Sequence, residues 1–216
     1  GMLTGVLVAL LSIVAGGYGW FAVLIAFFGI GAVVTKFRYE EKRKRGTAEA
    51  NEGARGTGNV LANSAIALVA VLGFAASPAL TVDPDLFVFA FTGSLAAAMS
   101  DTLSSEIGVL YGEPRLITTL EPVPAGTDGG VSWQGEVAGL VGAAIVAGLA
   151  AGLLGIPAGG AAVIVVAGMV GMTMDSLLGA TIEGHIIGNQ AVNLLGTLAG
   201  ALAGILGGLA LGAILA

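Results

Sequence analysis

The sequence contains no cysteine, a single histidine and few charged residues. Without cysteine, the chain can form neither a disulfide framework nor a thiolate metal centre. Only 10% of its 216 residues are charged, far below the roughly 25% that is typical of soluble domains. Hydrophobic residues make up 56% of the chain, and its mean hydropathy is +0.97. We therefore predict an integral membrane protein.

Apolar runs long enough to cross a bilayer recur along the whole chain. A transmembrane helix needs about 20 mostly apolar residues, with roughly 17 as the practical minimum. Residues 3–35 suit a short helical hairpin, whose turn carries Trp20 as a predicted interface anchor. Further spans are predicted at 59–76, 86–105, 135–154, 158–175 and 188–214. The predicted fold class is an all-α, polytopic membrane bundle of about seven transmembrane helices with Gly/Ala-rich packing, forming one domain over residues 1–216.

Basic residues are concentrated in one short loop, residues 36–57, which holds all of them except Arg115. The positive-inside rule places this loop in the cytoplasm. Counting spans from it puts two further polar loops, residues 106–134 and 176–187, on the same side. We therefore predict a multi-pass protein of the cell membrane with its site on the cytoplasmic face. The basic run 42–45 itself is interpreted as an orientation signal or a contact for anionic lipid, outside the site.

Two aspartates, Asp101 and Asp175, lie at equivalent depths near the predicted cytoplasmic ends of two similar hairpins, which is typical of a parallel internal repeat. A carboxylate at the centre of a membrane helix costs about 2.5 to 3.5 kcal/mol, and less near the interface, so it normally has a partner or a task. Together with Glu106 they predict a magnesium site, because Mg²⁺ prefers oxygen ligands and leaves positions for water and phosphate. The alternative is that these acids are solvated charges at helix ends.

Helix geometry limits this metal site. Asp101 and Glu106 are five residues apart, which is about 140° around an ideal helix. Both side chains can therefore reach one ion only if the helix ends or unwinds between them.

Three helix entrances on the predicted cytoplasmic side are rich in glycine, hydroxyl and amide groups. Glycine-rich backbone and helix N-termini can bind anions, so these entrances predict a polyphosphate site. Its candidate residues are Gly53, Gly56, Asn59, Asn63, Thr118, Thr119, Gly126, Thr127, Gly129, Gly130, Ser132, Asn189 and Asn193. Arg55 and Arg115 are candidates for neutralising negative charge in the same site. Turn chemistry alone would explain any one of the glycines.

The last predicted span repeats glycine at every fourth residue from Gly196 to Gly212. Such a ladder lets a second helix approach backbone to backbone. We expect the partner to be another span of the same chain, with a homodimer contact as the alternative.

Four stretches together resemble one known membrane family. They are EGARGTGNVLANS at 52–64, SDTLSSEIG at 100–108, PRLITTLEPVPAGTDGGVS at 114–132 and DSLLGATIEG at 175–184. In combination they resemble the family that contains plant phytyl-phosphate kinase and its bacterial and archaeal relatives. That family is more distantly similar to the CTP-using membrane kinases and CDP-lipid synthases.

The resemblance implies transfer of a phosphoryl group from a nucleoside triphosphate, with CTP as the expected donor, to an isoprenoid monophosphate of the phytyl or geranylgeranyl type. It implies that Asp101, Glu106 and Asp175 bind the metal. The predicted catalytic residues are then Asp101, Asp175, Arg55 and Arg115. The expected partners are the lipid bilayer, the isoprenoid phosphate and the nucleotide, with no nucleic acid.

Two other functions fit the same sequence features. A cytidylyltransferase that makes a CDP-lipid would use the same metal, nucleotide and lipid phosphate. A membrane transporter would also place acids within its helices, but transporter sites normally lie near the bilayer midplane rather than near one face.

Overall fold

The computed structural model describes residues 1–48, 53, 56–184 and 186–215. This part of the chain forms eight helices and two short strands. The helices are α1 (Met2–Gly16), α2 (Tyr18–Lys36), α3 (Tyr39–Arg45), α4 (Thr57–Leu80), α5 (Pro84–Tyr111), α6 (Trp133–Leu154), α7 (Ala158–Thr181) and α8 (Asn189–Leu215). Between α5 and α6, strands β1 (Arg115–Leu116) and β2 (Gly130–Val131) pair in antiparallel register.

The predicted membrane helix bundle is confirmed, with one difference in the number of spans. Among the described residues, six helices are long and apolar enough to cross a membrane, namely α2 and α4 to α8. The predicted N-terminal hairpin is formed and turns at Gly17, whose φ of +87° favours glycine. Its first helix, α1, has only 15 residues, which is shorter than a full span requires.

Two helices extend further into the polar loops than hydropathy predicts. Helix α5 continues from the predicted end at residue 105 to Tyr111, and α7 continues from Asp175 to Thr181. The polar residues at which the predicted spans stop, at 104–106 and 175–176, lie inside these helices, so a loss of hydropathy does not mark the helix ends. The loop at 36–57 also contains the short basic helix α3, which sequence periodicity does not predict.

Helix α5 lies at the centre of the bundle, in contact with α4, α6, α7 and α8. It begins after Asp83, whose side chain accepts a hydrogen bond from the Asp85 backbone N–H over 2.9 Å, with Pro84 in the first turn. Every residue from Val88 to Ser100 is buried. The other spans keep one face exposed, so α5 is the helix around which they are arranged.

The glycine ladder of α8 packs against neighbouring helices of the same chain, as expected. A Cβ atom added at Gly200 would lie 2.6 Å from both the Gly93 carbonyl oxygen and the Ala97 side chain on α5. Gly204 faces the Phe89 backbone in the same way, whereas nothing lies within 4 Å of a Cβ at Gly212. Most of the ladder therefore serves internal packing of α5 against α8.

Trp20 differs from its predicted role as an interface anchor. Its side chain is 4% exposed and contacts Phe74 and Phe91, with ring centroids 4.7 and 4.5 Å away. The indole therefore fills the contact between α2, α4 and α5. Sequence position in a turn does not reveal that the ring points into the bundle.

The close contact of α5 with α8 predicts opposite effects for two glycine substitutions on one helix. Both Gly200→Ala and Gly212→Ala gain up to about 1 kcal/mol of helix propensity. Only Gly200→Ala must also push α5 and α8 apart, at a cost of about 1–3 kcal/mol. In detergent, thermal unfolding should occur at a lower temperature for Gly200→Ala and at an unchanged or higher temperature for Gly212→Ala. Equal midpoints for the two variants would contradict this packing.

Candidate active site

A cavity of about 460 Å³ lies at the end of the bundle where α5 and α7 end and α4, α6 and α8 begin. Its walls come from all three polar segments that the charge distribution placed on one side. Gly46–Ala48 follow α3, several residues of 114–132 belong to the loop between α5 and α6, and Glu183 follows α7. The three segments therefore meet at one end of the molecule. The assignment of that end to the cytoplasm stays a prediction.

Asp101 on α5 and Asp175 on α7 meet in this cavity. Both line its wall, and both also line a narrow crevice beneath it together with Asn63 and Asn193. In the amide orientation that satisfies its neighbours, Asn193 donates a hydrogen bond to Asp175 Oδ2 over 3.2 Å. Gly196 leaves room for this carboxylate, because a Cβ there would lie 3.1 Å from Asp175 Oδ2. The fold thus brings together the two carboxylates that the sequence selects as a pair.

Glu106 makes a different contact from the predicted one. Its Oε2 atom lies 2.5 Å from the buried ammonium group of Lys42. Helix α5 is unbroken from Pro84 to Tyr111, so the 140° separation between Asp101 and Glu106 is preserved. Within the described part of the chain, no three His, Asp or Glu side chains are grouped closely enough to hold one ion. The predicted three-carboxylate arrangement is therefore not formed, and the ligand role of the two aspartates stays a prediction.

Most of the predicted phosphate-binding residues line the cavity. These residues are Asn59, Asn63, Gly126, Thr127, Gly129, Gly130, Ser132, Asn189 and Asn193. Two of the loop's backbone N–H groups are already used within the loop, since Thr127 donates to the Pro124 carbonyl and Gly130 donates to the Thr127 carbonyl. The glycine loop therefore offers fewer free donors to an anion than its sequence indicates.

The glycine loop is held against α7 by backbone contact. Gly129 has a φ of +73°, and a Cβ there would lie 2.5 Å from the Ala180 backbone nitrogen. Any larger residue at 129 would displace the loop from α7. This explains why glycine occurs here without invoking phosphate binding.

Other predicted site residues lie outside the cavity wall. Arg115 is exposed and donates to the Leu120 carbonyl over 2.8 Å. It lies in β1, and its side chain bonds within the loop between α5 and α6. Thr118 and Thr119 lie in the exposed turn that follows. Among the remaining predictions, Gly53 and Gly56 do not line the cavity, and Arg55 lies outside the described residues.

The cavity is strongly acidic. Five carboxylates line it, from Asp101, Glu106, Asp128, Asp175 and Glu183, and no lysine, arginine or histidine is among the lining residues that the structure describes. The pairing of Lys42 with Glu106 neutralises one of them. The described lining therefore favours cations, and a cation bound there would help the cavity accept an anionic ligand.

Sequence reasoning missed the wall formed by Gly46–Ala48 and the contact of Lys42 with Glu106. Lys42 lies within a run of four basic residues whose usual role is contact with lipid or water. Helical spacing around α3 could have shown which of the four faces the bundle only if α3 itself had been predicted.

Glu183 and Asp128 both line the cavity and lie close enough to repel each other, and this repulsion predicts a pH-dependent stability. Partial burial raises the pKa of Glu183, the Asp128 carboxylate raises it further, and a hydrogen bond with Asn189 offsets part of the effect. A raised carboxyl pKa means that the protonated form is favoured in the fold, so stability is lost as pH rises through that pKa.

We expect Asp128→Asn to stabilise the protein at about pH 7, by about 0.5 kcal/mol or less because solvent screens both groups. The gain should vanish at about pH 4, where Glu183 is protonated. Thermal unfolding with a chelator present measures this effect, and Glu121→Gln, an exposed acid of the same loop, is the matched control. An equal gain at both pH values would contradict the repulsion.

Comparisons with known proteins assign the chain to a family. The family model described as integral membrane protein DUF92 matches residues 1–201. An uncharacterised membrane protein of Methanocaldococcus jannaschii is 36% identical over 192 residues, covering 84% of this chain and 73% of that protein. An uncharacterised membrane protein of Synechocystis is 34% identical over 197 residues, covering 86% of this chain and 73% of that protein.

A plant protein shows a similar degree of identity. The chloroplastic protein VTE6 of Arabidopsis thaliana is 33% identical over 186 residues, which cover 84% of this chain and 56% of the plant protein. No solved structure shows a significant match. The family predicted from the four sequence stretches is confirmed, and the chain belongs to the DUF92 family of integral membrane proteins.

Proposed function

We propose that this protein transfers the terminal phosphoryl group of a nucleoside triphosphate, with CTP as the first candidate, to an isoprenoid monophosphate. The product is the isoprenoid diphosphate. The observation that carries the proposal is the meeting of Asp101 and Asp175 in a polar cavity at one end of a membrane bundle. The family membership and the identity to VTE6 support it, as does the resemblance of four stretches to the family of plant phytyl-phosphate kinase.

The position of the cavity suits two substrates of different solubility. An isoprenoid phosphate keeps its chain in the lipid and its head group at the membrane surface, whereas a nucleotide arrives from water. A site near the end of the spans, rather than at their middle, lets both reach the same carboxylates. In this proposal the basic loop 36–57 and the site face the cytoplasm at the cell membrane, as the positive-inside rule predicts.

The donor set around Asp101 and Asp175 fits a magnesium ion. The two carboxylates supply oxygen ligands of the kind that Mg²⁺ prefers, and the amide groups of Asn63 and Asn193 lie beside them in the cavity wall. When bound there, magnesium would neutralise charge on the phosphate oxygens of the nucleotide. The acidic lining makes such neutralisation necessary, because both substrates are anions.

The remaining polar groups would hold the two phosphates in line. Asn59 and Asn63 lie on α4, and Asn189 and Asn193 lie on α8, so their amides approach the cavity from two helices. Ser132 is the N-cap of α6, and its hydroxyl accepts a hydrogen bond from the Gly135 backbone N–H. We propose Arg55 as the arginine that neutralises charge developing during transfer.

The reaction itself needs positioning more than acid–base chemistry. An oxygen of the lipid phosphate is already ionised, so it attacks the terminal phosphorus without a general base. The bond from that phosphorus to the bridging oxygen breaks, and the nucleoside diphosphate leaves with the electron pair. The chain's contribution is to exclude water and align the two phosphates.

The products identify the reaction. Purified protein in nanodiscs should convert CTP and geranylgeranyl phosphate with Mg²⁺ into CDP and geranylgeranyl diphosphate. Formation of a CDP-lipid with release of pyrophosphate would contradict the kinase and identify a cytidylyltransferase, because attack would then occur at the innermost phosphorus. Ion flux in proteoliposomes without nucleotide turnover would identify a transporter.

Removing either aspartate charge should stop the reaction. Asp101→Asn and Asp175→Asn should each lower turnover by at least about 100-fold. Each removes a carboxylate that we propose binds Mg²⁺ beside the transferred phosphate. Unfolding temperature should stay close to that of the wild type. Asp85→Asn is the control, since Asp85 is an exposed acid at the opposite end of α5. Substantial turnover in both cavity variants would remove the proposed metal site.

A further inference from the structure

Lys42 is a fully buried lysine whose ammonium group contacts three acceptors. Its Nζ atom lies 2.5 Å from Glu106 Oε2, 2.7 Å from the Thr35 carbonyl oxygen and 3.2 Å from the Val34 carbonyl oxygen. An ammonium group has three N–H donors, so all of them are used. Glu106 is the acceptor that also carries the opposite charge.

Through these contacts, α3 is hydrogen-bonded to the ends of two membrane helices. Val34 and Thr35 lie in the last turn of α2, and Glu106 lies near the end of α5. Arg45, one turn further along α3, donates to the Val109 and Leu110 carbonyl oxygens of α5 over 3.1 and 2.9 Å. The position of α3 is thus fixed by Lys42 inside the bundle and by Arg45 at its surface.

The segment that follows α3 forms part of the cavity wall. Gly46–Ala48 line the cavity, and the Thr47 backbone N–H and hydroxyl both donate to the Lys42 carbonyl oxygen, over 3.0 and 3.3 Å. On the other side, a Cβ atom at Gly126 would lie 3.0 Å from the Thr47 methyl carbon. Lys42 therefore sets the position of Thr47, and Thr47 touches the glycine loop.

We propose that Glu106 is a positioning residue, which acts through Lys42 to hold the wall 46–48 and the loop it touches, and that Glu106 does not bind the metal ion. This inference rests on the proposed function for its kinetic consequence only. Its physical basis is the buried ion pair: a metal ion drawn to Glu106 would repel the Lys42 ammonium, whose other acceptors are uncharged carbonyls. The unbroken α5 also directs Glu106 away from Asp101.

Glutamine and leucine at position 106 separate the two roles. Glu106→Gln keeps an oxygen acceptor for Lys42 but loses the charge that a metal ligand needs, whereas Glu106→Leu loses both. We expect the Mn²⁺ dissociation constant of Glu106→Gln, measured by electron paramagnetic resonance, to stay within about threefold of wild type. Asp101→Asn should weaken Mn²⁺ binding by at least about tenfold. Equal weakening in both variants would overturn the inference.

The wall position can be measured without any enzymatic activity. Because the chain has no cysteine, Thr47→Cys with Gly126→Cys introduces one thiol pair. An ideal Cβ at Gly126 lies 3.7 Å from the Thr47 Cβ, within the range of about 3.5–4.5 Å for disulfides. Adding Glu106→Leu or Lys42→Met should slow oxidation of the pair at least about fivefold, whereas Glu106→Gln, which keeps an acceptor for Lys42 but loses the opposite charge, should slow it by a smaller factor. An unchanged rate with Glu106→Leu and Lys42→Met would also overturn the inference.

Cysteine is disfavoured at position 126, because the φ of Gly126 is +85°. A spin label at position 47 alone avoids this strain. If the double-cysteine variant does not fold, a nitroxide on Thr47→Cys alone should become more mobile with Lys42→Met, and unchanged mobility would contradict the inference. In active protein, Glu106→Leu should raise the KM for CTP by a larger factor than it lowers kcat. If wild-type protein shows no turnover, the proposed function fails, while the oxidation rates still decide the role of Glu106.

Discussion

The close approach of α5 and α8 is the constraint on which the site depends. Because Gly93 and Gly200 have no side chains, the backbones of α5 and α8 can touch, and α5 can lie at the centre of the bundle. With α5 at the centre, its polar last turns face protein on several sides instead of lipid. Asp101 consequently meets Asp175 from α7 in a shared cavity, and Glu106 meets Lys42 from α3. Small residues deep in the bundle thereby determine the arrangement of charges at its end.

The acids at this end have different neighbours, although the sequence shows them as similar carboxylates. Asp101 and Asp175 have amide neighbours and both line the cavity, which has the volume for a divalent ion that would compensate their charge. Glu106 is compensated by a lysine of the same chain. Burying a charge is costly unless it is paired, so each carboxylate needs its own partner. The proposed phosphoryl transfer uses the first pair directly and depends on the second contact for the shape of the wall.

The membrane helices, the convergence of three polar segments and the pairing of the two aspartates could all be predicted from the sequence. They follow from hydropathy, charge distribution and spacing, which are properties of the chain itself. The contacts of Glu106, Arg115 and Trp20 could not be predicted, because they depend on side-chain direction across helices distant in sequence. Helical geometry did indicate that Glu106 could join Asp101 only if α5 broke, and α5 is continuous. The partner of Glu106, Lys42, lies in the basic run 42–45, and such runs beside a membrane commonly contact lipid or water.

In the proposed reaction, Asp101 and Asp175 together hold a divalent ion beside the nucleotide phosphates. Anomalous diffraction from crystals grown with Mn²⁺ and a non-hydrolysable CTP analogue tests it most directly. We expect one anomalous peak within about 2.5 Å of a carboxylate oxygen of each aspartate, with phosphate density next to it. A peak elsewhere, or nucleotide bound with no ion near the two aspartates, would show that these aspartates do not form the metal site.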